Sequence, residues 1–254
     1  MIKLKAPSEW QTSGLERRSY YVYFTGQSAI GSFVGGCLTT YFVLLGLDPL
    51  KVAAVMLAVK IWDAVNDAIF GVLFDKIRFK SGNKCIPWLK ISLFFIPVIS
   101  VFMFSIPDGI SENAQLLWFA VTYLLWDTAY TLCDVPIFSL ITYMTDNMDE
   151  RNGMMAYRSL WGSVGGILTP MLATFLVSER VGSNYTTAAI ISAVIAIATM
   201  IPACINVKER HPATVTEESF TIKVMLAYLV KNKYLLIYFL GVFFIFKREL
   251  CKCS

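Results

Sequence analysis

Charge is scarce in this chain, and histidine scarcer. Asp, Glu, Lys and Arg make up 16% of the 254 residues and His211 is the one histidine, where an ordinary soluble domain is roughly a quarter charged. The six cysteines, Cys37, Cys85, Cys133, Cys204, Cys251 and Cys253, are scattered without metal-ligand spacing apart from the C-x-C at the extreme end. With a lone histidine in a polar loop, they point to neither a disulfide framework nor a metal centre. No G-x-G-D, H-E-x-x-H or G-x-S-x-G element and no phosphate-cradling glycine loop is present, which argues against an enzyme and against a bound organic cofactor. Residues 1–18 are polar and hold no short apolar core with a small-residue cleavage site, so the first helix is expected to stay as an uncleaved anchor.

Apolar residues are abundant instead. They make up 56% of the chain, and a mean hydropathy of +0.60 places it in the membrane class with the lipid bilayer as its surroundings. The net charge of +4 does not signal nucleic acid, because the basic residues lie in short connections between apolar runs rather than on one solvated face. Runs of spanning length occur near 20–46, 51–75, 86–107, 114–144, 154–179 and 183–206, each about enough to cross a 30 Å hydrocarbon core. A seventh begins near Tyr234 and breaks off around Phe246. Lys and Arg crowd the N-terminus, the Lys76–Lys84 and Arg151 connections and the stretch from Lys208 onward, against Lys51 and Arg180 on the other side. That bias predicts a multi-pass protein with a cytoplasmic N-terminus.

The informative placement is on the second run. Lys60, Asp63 and Asp67 lie in an otherwise apolar helix, where each would cost about 2.5–3.5 kcal/mol facing lipid. On a helix they fall within about 60° of one another, so they form one stripe that must face protein or water, with Trp62 pointing away. The fourth run repeats the pattern: Asp127, Tyr130, Thr131, Asp134 and Phe138 recur at spacings of three and four and share a face. Pro136 removes a backbone donor just after Asp134, a break that membrane helices tolerate where the freed carbonyl finds another partner. In the first run Gln27 and Ser28 are polar groups at membrane depth, either interhelical hydrogen-bonders or part of a substrate cavity, and Gly31-x-x-x-Gly35 is read as a helix-packing spacing. Arg158, one turn into the fifth run, either snorkels to the interface or turns inward to pair with an acid.

Two of these segments resemble a known family. Trp62-Asp63-Ala64-Val65-Asn66-Asp67 with the basic loop Asp75–Trp88, and Asp134-Val135-Pro136-Ile137-Phe138-Ser139-Leu140, resemble helices 2 and 4 of the glycoside-pentoside-hexuronide cation symporters, the melibiose-permease-like family of the major facilitator superfamily. The resemblance implies an all-α membrane fold of twelve helices, of which this chain holds the N-terminal six-helix bundle and a truncated seventh helix. It implies that Asp63, Asp67, Asn66 and Thr131 hold a coupling cation, Na+ or H+ with Li+ a further candidate. It implies that Asp134, Arg158, Phe138, Ser28 and Tyr130 bind a sugar or glycoside, with Arg158 turned inward. At Ser28 the family carries a sugar-binding acid or an amide, so serine departs from the pattern; at Asp127 relatives tend to carry glycine. Asp127 is therefore an extra titratable group or an acid near water at the helix's outer end. Gly71, Asp75 and Lys76 fit the G-x-x-x-D-[RK] skeleton that braces superfamily helices, while the same loop also serves as a topology signal. Asn184-Tyr185-Thr186 fits a glycosylation sequon, read as a chance match in a mainly bacterial family.

The expected organisation is a bundle over 1–206, a cytoplasmic linker over 207–233, and the start of helix 7 with an aberrant tail over 234–254. The functional expectation is secondary active sugar:cation symport by a truncated fragment, completed by a missing C-terminal half or a second copy. The alternatives are a non-transporting half-transporter acting as subunit or sensor and, as a third class, an intramembrane aspartyl enzyme in which paired acids share a proton.

Overall fold

Six helices carry the apolar runs, and among the described residues there is no strand: α1 Gly14–Leu44, α2 Pro49–Lys76, α3 Ile86–Met103, α4 Glu112–Met144, α5 Met148–Val177 and α6 Tyr185–Asn206. The computed structural model describes residues 10–210 apart from Arg78, Asp108, Glu179, Arg180 and Ser183, and in addition Lys231. These helices belong to the unit Met1–Pro212. Most of the expected linker over 207–233 and all of the expected seventh helix and tail over 234–254 lie outside the described residues.

Local chemistry sets the helix starts. Ser13 and Glu16 form a reciprocal capping box on α1, Asp48 caps α2 with Pro49 behind it, and Asn147 accepts from the amides of Asp149 and Glu150. Each satisfies amides that have no intrahelical partner. Asn184 belongs to this set: its side chain accepts from the Thr187 amide at 3.0 Å and hydroxyl at 2.7 Å, so in this structure it caps α6.

By length and composition α3, α4, α5 and α6 are able to cross a membrane. The expectation of six apolar spans therefore holds for four. Helices α1 and α2 are long enough at 31 and 28 residues, but their apolarity is diluted by Gln27, Ser28 and Ser32 on one and Lys60, Asp63 and Asp67 on the other. Those polar side chains line the site, to which α4 and α5 also contribute.

Two apolar clusters fill the bundle. One gathers Tyr20, Phe24 and Ile30 with Phe70, Trp88, Ile137, Met154 and Met200; the other gathers Phe33 and Phe42 with Val52, Phe104, Phe119, Trp126 and Ala188. Each cluster takes opposite halves of successive helices, so the chain runs up and down. The N-terminus, the α2–α3 and α4–α5 connections and the end of α6 consequently share one end. Contacts there agree: Arg210 N donates to Tyr143 O at 2.8 Å and Thr12 N to Glu150 at 3.1 Å. Lys51 and Glu112 meet at the opposite end. The basic connections thus lie together, at the end away from Lys51.

Close helix approaches are made by glycines other than the expected pair. A Cβ on Gly165 would lie 2.0 Å from the Thr25 carbonyl oxygen, and one on Gly26 would lie 2.8 Å from the Ala196 carbonyl. These glycines seat α1 against α5 and α6. Gly35 has nothing within 4 Å, so Gly31-x-x-x-Gly35 is not a packing seam. By contrast, α1 and α4 nowhere come within 8 Å at Cα, and the gap between them is where polar side chains collect.

Candidate functional site

On α2 the polar side chains sit at mid-depth, where the two apolar clusters meet between Val59 and Phe70; on α1 and α4 they run from that level, Ser32 and Asp127, into the half of the first cluster, to Gln27 and Asp134. They line two cavities. One, of about 350 Å³, is bounded by Gly31, Lys60, Asp63, Asp67, Trp126, Asp127, Tyr130, Thr131 and Asp134. The other, of about 400 Å³, is bounded by Phe24, Gln27, Ser28, Ser32, Tyr130, Asp134, Phe138, Arg158, Ser159, Gly162, Ser163 and Gly166. Tyr130 and Asp134 belong to both.

In the acidic cavity α2 and α4 are tied together. Asn66 Nδ2 donates to Thr131 Oγ1 at 2.9 Å, and that hydroxyl lies 3.2 Å from Asp67 Oδ1. Lys60 Nζ bonds Asp63 Oδ2 at 3.2 Å and reaches within 3.6 Å of Asp127 Oδ1. Asp127 is buried, and its Oδ2 has no hydrogen-bond partner. Trp62 does not point away from this neighbourhood: its indole donates to Thr128 on α4 at 3.0 Å, because α4 covers a wider sector of α2 than the acid stripe. Carboxylates with hydroxyl and amide oxygens form the ligand class that hard cations take.

The second cavity is built from α1, α4 and α5. Gln27 spans the α1–α4 gap and donates to Asp134 Oδ1 at 2.8 Å, fixing the carboxylate. The Tyr130 hydroxyl donates to Gln27 O at 3.4 Å; Gly31 leaves it room, since a Cβ there would lie 2.9 Å from that hydroxyl. Gly162 similarly leaves room for Ser28, whose Oγ would be 3.1 Å from an added Cβ. Arg158 turns inward, but the partner is not an acid. Its guanidinium lies over the rings of Phe138, at 4.2 Å, and Phe24, at 4.9 Å, its Nε contacts Met155 Sδ at 3.0 Å, and it makes no ion pair with Asp134. Aromatic faces hold an arginine in place while leaving its N–H groups available.

Eight of the nine residues expected to bind cation or sugar therefore line these cavities, and the ninth, Asn66, stands behind the wall and donates to Thr131. Sequence reasoning missed Phe24, which has no signal beyond being one apolar residue among many, and placed Lys60 on the acid stripe without a role of its own. Asp127, left open between two readings, is part of the acidic cavity rather than an acid at a wet helix end.

The expected bracing residues lie at the basic end. Asp75 bonds Lys84 Nζ at 2.8 Å, and that ammonium also lies over the Phe74 ring. Burial works against the Lys84 charge, but the Asp75 carboxylate outweighs it and holds the ammonium above the ordinary lysine range. Gly71 has open space around it. Close by, Glu209 accepts from the amides of Lys84, Cys85 and Ile86 at 2.6–2.9 Å, capping α3, and Arg210 pairs with Glu16 at 2.7 Å. Glu150 accepts from Gln11 N, Thr12 N, the Thr12 hydroxyl and the Thr145 hydroxyl.

A family described as MFS/sugar transport protein matches residues 25–254. The chain belongs to that family. Its curated relatives include the isoprimeverose transporter of Lactiplantibacillus pentosus, 28% identical over 76% of this chain and 41% of that one. The inner membrane symporter YicJ of Escherichia coli is 28% identical over 57% of this chain and 31% of its own. The sodium-dependent lysophosphatidylcholine symporter 1 of Gallus gallus is 23% identical over 58% and 28%. The chain spans less than half the length of these relatives. Membership bears out the resemblance carried by the α2 and α4 motifs, and it makes the chain, all-helical among the described residues, a multi-pass membrane protein of a transport family. The aspartyl-enzyme alternative is set aside on the same ground, because the family and these relatives are transporters.

Proposed function

We propose that this chain supplies the N-terminal six-helix half of a symporter that moves a sugar or glycoside with Na+, or alternatively H+. One observation carries the reading: the acidic cavity and the arginine-aromatic cavity share Asp134 and Tyr130. Asp63 and Asp67, with Thr131 positioned by Asn66, hold the cation. Asp134, fixed by Gln27, and Arg158, held by Phe24 and Phe138, bind sugar hydroxyls by charge-assisted hydrogen bonds. Phe138 offers a ring face to the sugar, and Ser28 and Tyr130 close the cavity. An entering cation removes the mutual repulsion of Asp63 and Asp67, and the effect reaches the sugar through the shared Asp134; by linkage, sugar tightens cation binding equally. The sodium-dependent relatives support Na+, and the isoprimeverose transporter supports a glycoside.

The basic end, with Arg17, Lys84, Arg151 and Arg210, faces the cytoplasm of a cell-membrane protein, and the Asp75–Lys84 pair braces α2 against α3 there, in the stretch that also holds Gly71 and Lys76. Superfamily substrates sit between two halves that rock against each other, so this bundle works with a facing bundle, a separate half or a second copy. Reconstituted alone in vesicles it accumulates no glycoside.

Binding of nitrophenyl glycosides to the purified chain, with and without Na+, tests the reading. Na+ should strengthen binding, Asp63→Asn should remove that stimulation, and Asp134→Asn should remove glycoside binding while Na+ binding persists. Glycoside binding indifferent to Na+ and to both substitutions would sink it.

A further inference from the structure

We propose that Lys60 is a tethered cation of the acidic cavity, and that Asp127 is the carboxylate to which it moves when a coupling cation enters beside Asp63 and Asp67. The inference rests on the cation reading above. Lys60 stands one turn before Asp63 on α2. Its ammonium is hydrogen-bonded to Asp63 at 3.2 Å and lies 3.6 Å from Asp127, within ion-pair range of the second acid but short of a good hydrogen bond to it. An ammonium has three donors, and Asp63 takes one.

Asp127 is the unfinished partner. Its side chain is 5% exposed, Oδ2 has no donor, and a buried carboxylate oxygen left without one is unfavourable. The Lys60 side chain, 59% exposed, is the mobile member of the pair. Four acids, Asp63, Asp67, Asp127 and Asp134, line this cavity with Lys60 as its one positive residue. A metal cation bound at Asp63 repels an ammonium on the same carboxylate, and the other carboxylate within ion-pair range of that ammonium is Asp127. Cation entry thereby becomes a relocation of the lysine charge across the α2–α4 contact rather than its expulsion. Asp127 is in this account a positioning residue that acts through Lys60, not a ligand of the entering cation.

Binding of radiolabelled Na+ to the purified chain in lipid nanodiscs separates the possibilities. Lys60→Gln should tighten Na+ about tenfold and Asp127→Asn should weaken it about tenfold, the scale on which neighbouring charges couple. In the Lys60→Gln background Asp127→Asn should change nothing. A loss from Asp127→Asn in both backgrounds would make Asp127 a direct ligand and overturn the proposal. Unchanged Na+ affinity in Lys60→Gln would overturn it and leave the cation site standing; no Na+ binding by any variant would overturn both. Binding that appears only in Lys60→Gln supports it. If Lys60→Gln does not insert, isotope-labelled methyl groups on Lys60 of the native chain decide: their resonance should shift on Na+ addition, and less so in Asp127→Asn.

Discussion

Glu150 and Asp127 are both buried carboxylates in the same bundle, and the structure treats them in opposite ways. Glu150, at the basic end, accepts four hydrogen bonds from Gln11, Thr12 and Thr145, with Arg17 at 3.7 Å. Asp127, at mid-depth, has Lys60 at 3.6 Å from one oxygen and no hydrogen-bond donor on the other. The difference follows from what each faces. Glu150 closes a junction between the N-terminal segment, the end of α4 and the start of α5, where backbone amides outside regular helix supply donors. Asp127 looks into a cavity between two helices whose amides are already used. A saturated buried acid fastens the fold, and an unsaturated one beside a cavity waits for a partner.

Removing the saturated acid should have the largest effect. Glu150→Ala strands several donors and should cost about 3–5 kcal/mol, read as a lowered unfolding midpoint in detergent, whereas Asp127→Asn should cost under about 1 kcal/mol because it removes an under-partnered charge. Equal losses in the two variants would erase the contrast. Next comes the site: Asp63→Asn should weaken Na+ binding about a hundredfold, about 2.7 kcal/mol, with the unfolding midpoint nearly unchanged. A comparable collapse of stability would place Asp63 with Glu150 as a fold-holding acid.

Packing can be contrasted the same way. Gly165→Ala drives a methyl group onto the Thr25 carbonyl and should cost about 1–3 kcal/mol, while Gly35→Ala, with open space around it, should cost nothing measurable; thermal unfolding of the two side by side checks this. Phe138→Ala removes the nearer ring from Arg158 and should weaken glycoside binding about fivefold, in line with about 1 kcal/mol for a cation–π contact. An unaltered affinity would show that Phe24 alone positions the arginine. Smallest is Glu209→Gln, which keeps an acceptor for the α3 amides but loses the charge near the helix start, about 0.3–1 kcal/mol. Orientation is separable from all of these. With Cys251 and Cys253 replaced by serine, Ser111→Cys should label from outside and Ser81→Cys should not; the reverse pattern would invert the bundle.

Much of the site was legible because the bilayer makes ionisable residues conspicuous. The Lys60–Asp63–Asp67 stripe and the Asp134–Phe138 face could be placed on interior surfaces from helical period alone, since lipid could not host them. Gln27 could be read only as polar at depth, because its role depends on the width of the α1–α4 gap. The glycines show the same limit. Gly31-x-x-x-Gly35 has the spacing of a packing motif, but the crossings are made at Gly26 and Gly165, and Gly31 instead shelters the Tyr130 hydroxyl.

The sequence by itself determined that this chain is a bundle of membrane-length helices with its basic connections at one end. It also determined that α2 and α4 turn acids inward, because apolarity, period and charge asymmetry are properties of single segments. Tertiary structure alone decided the pairings. It set Lys60 between Asp63 and Asp127, placed Arg158 against two rings rather than on an acid, and made Asp134 common to two cavities. Those outcomes depend on how far apart the helix axes lie and which side chains are long enough to cross between them, a distance that no single segment encodes.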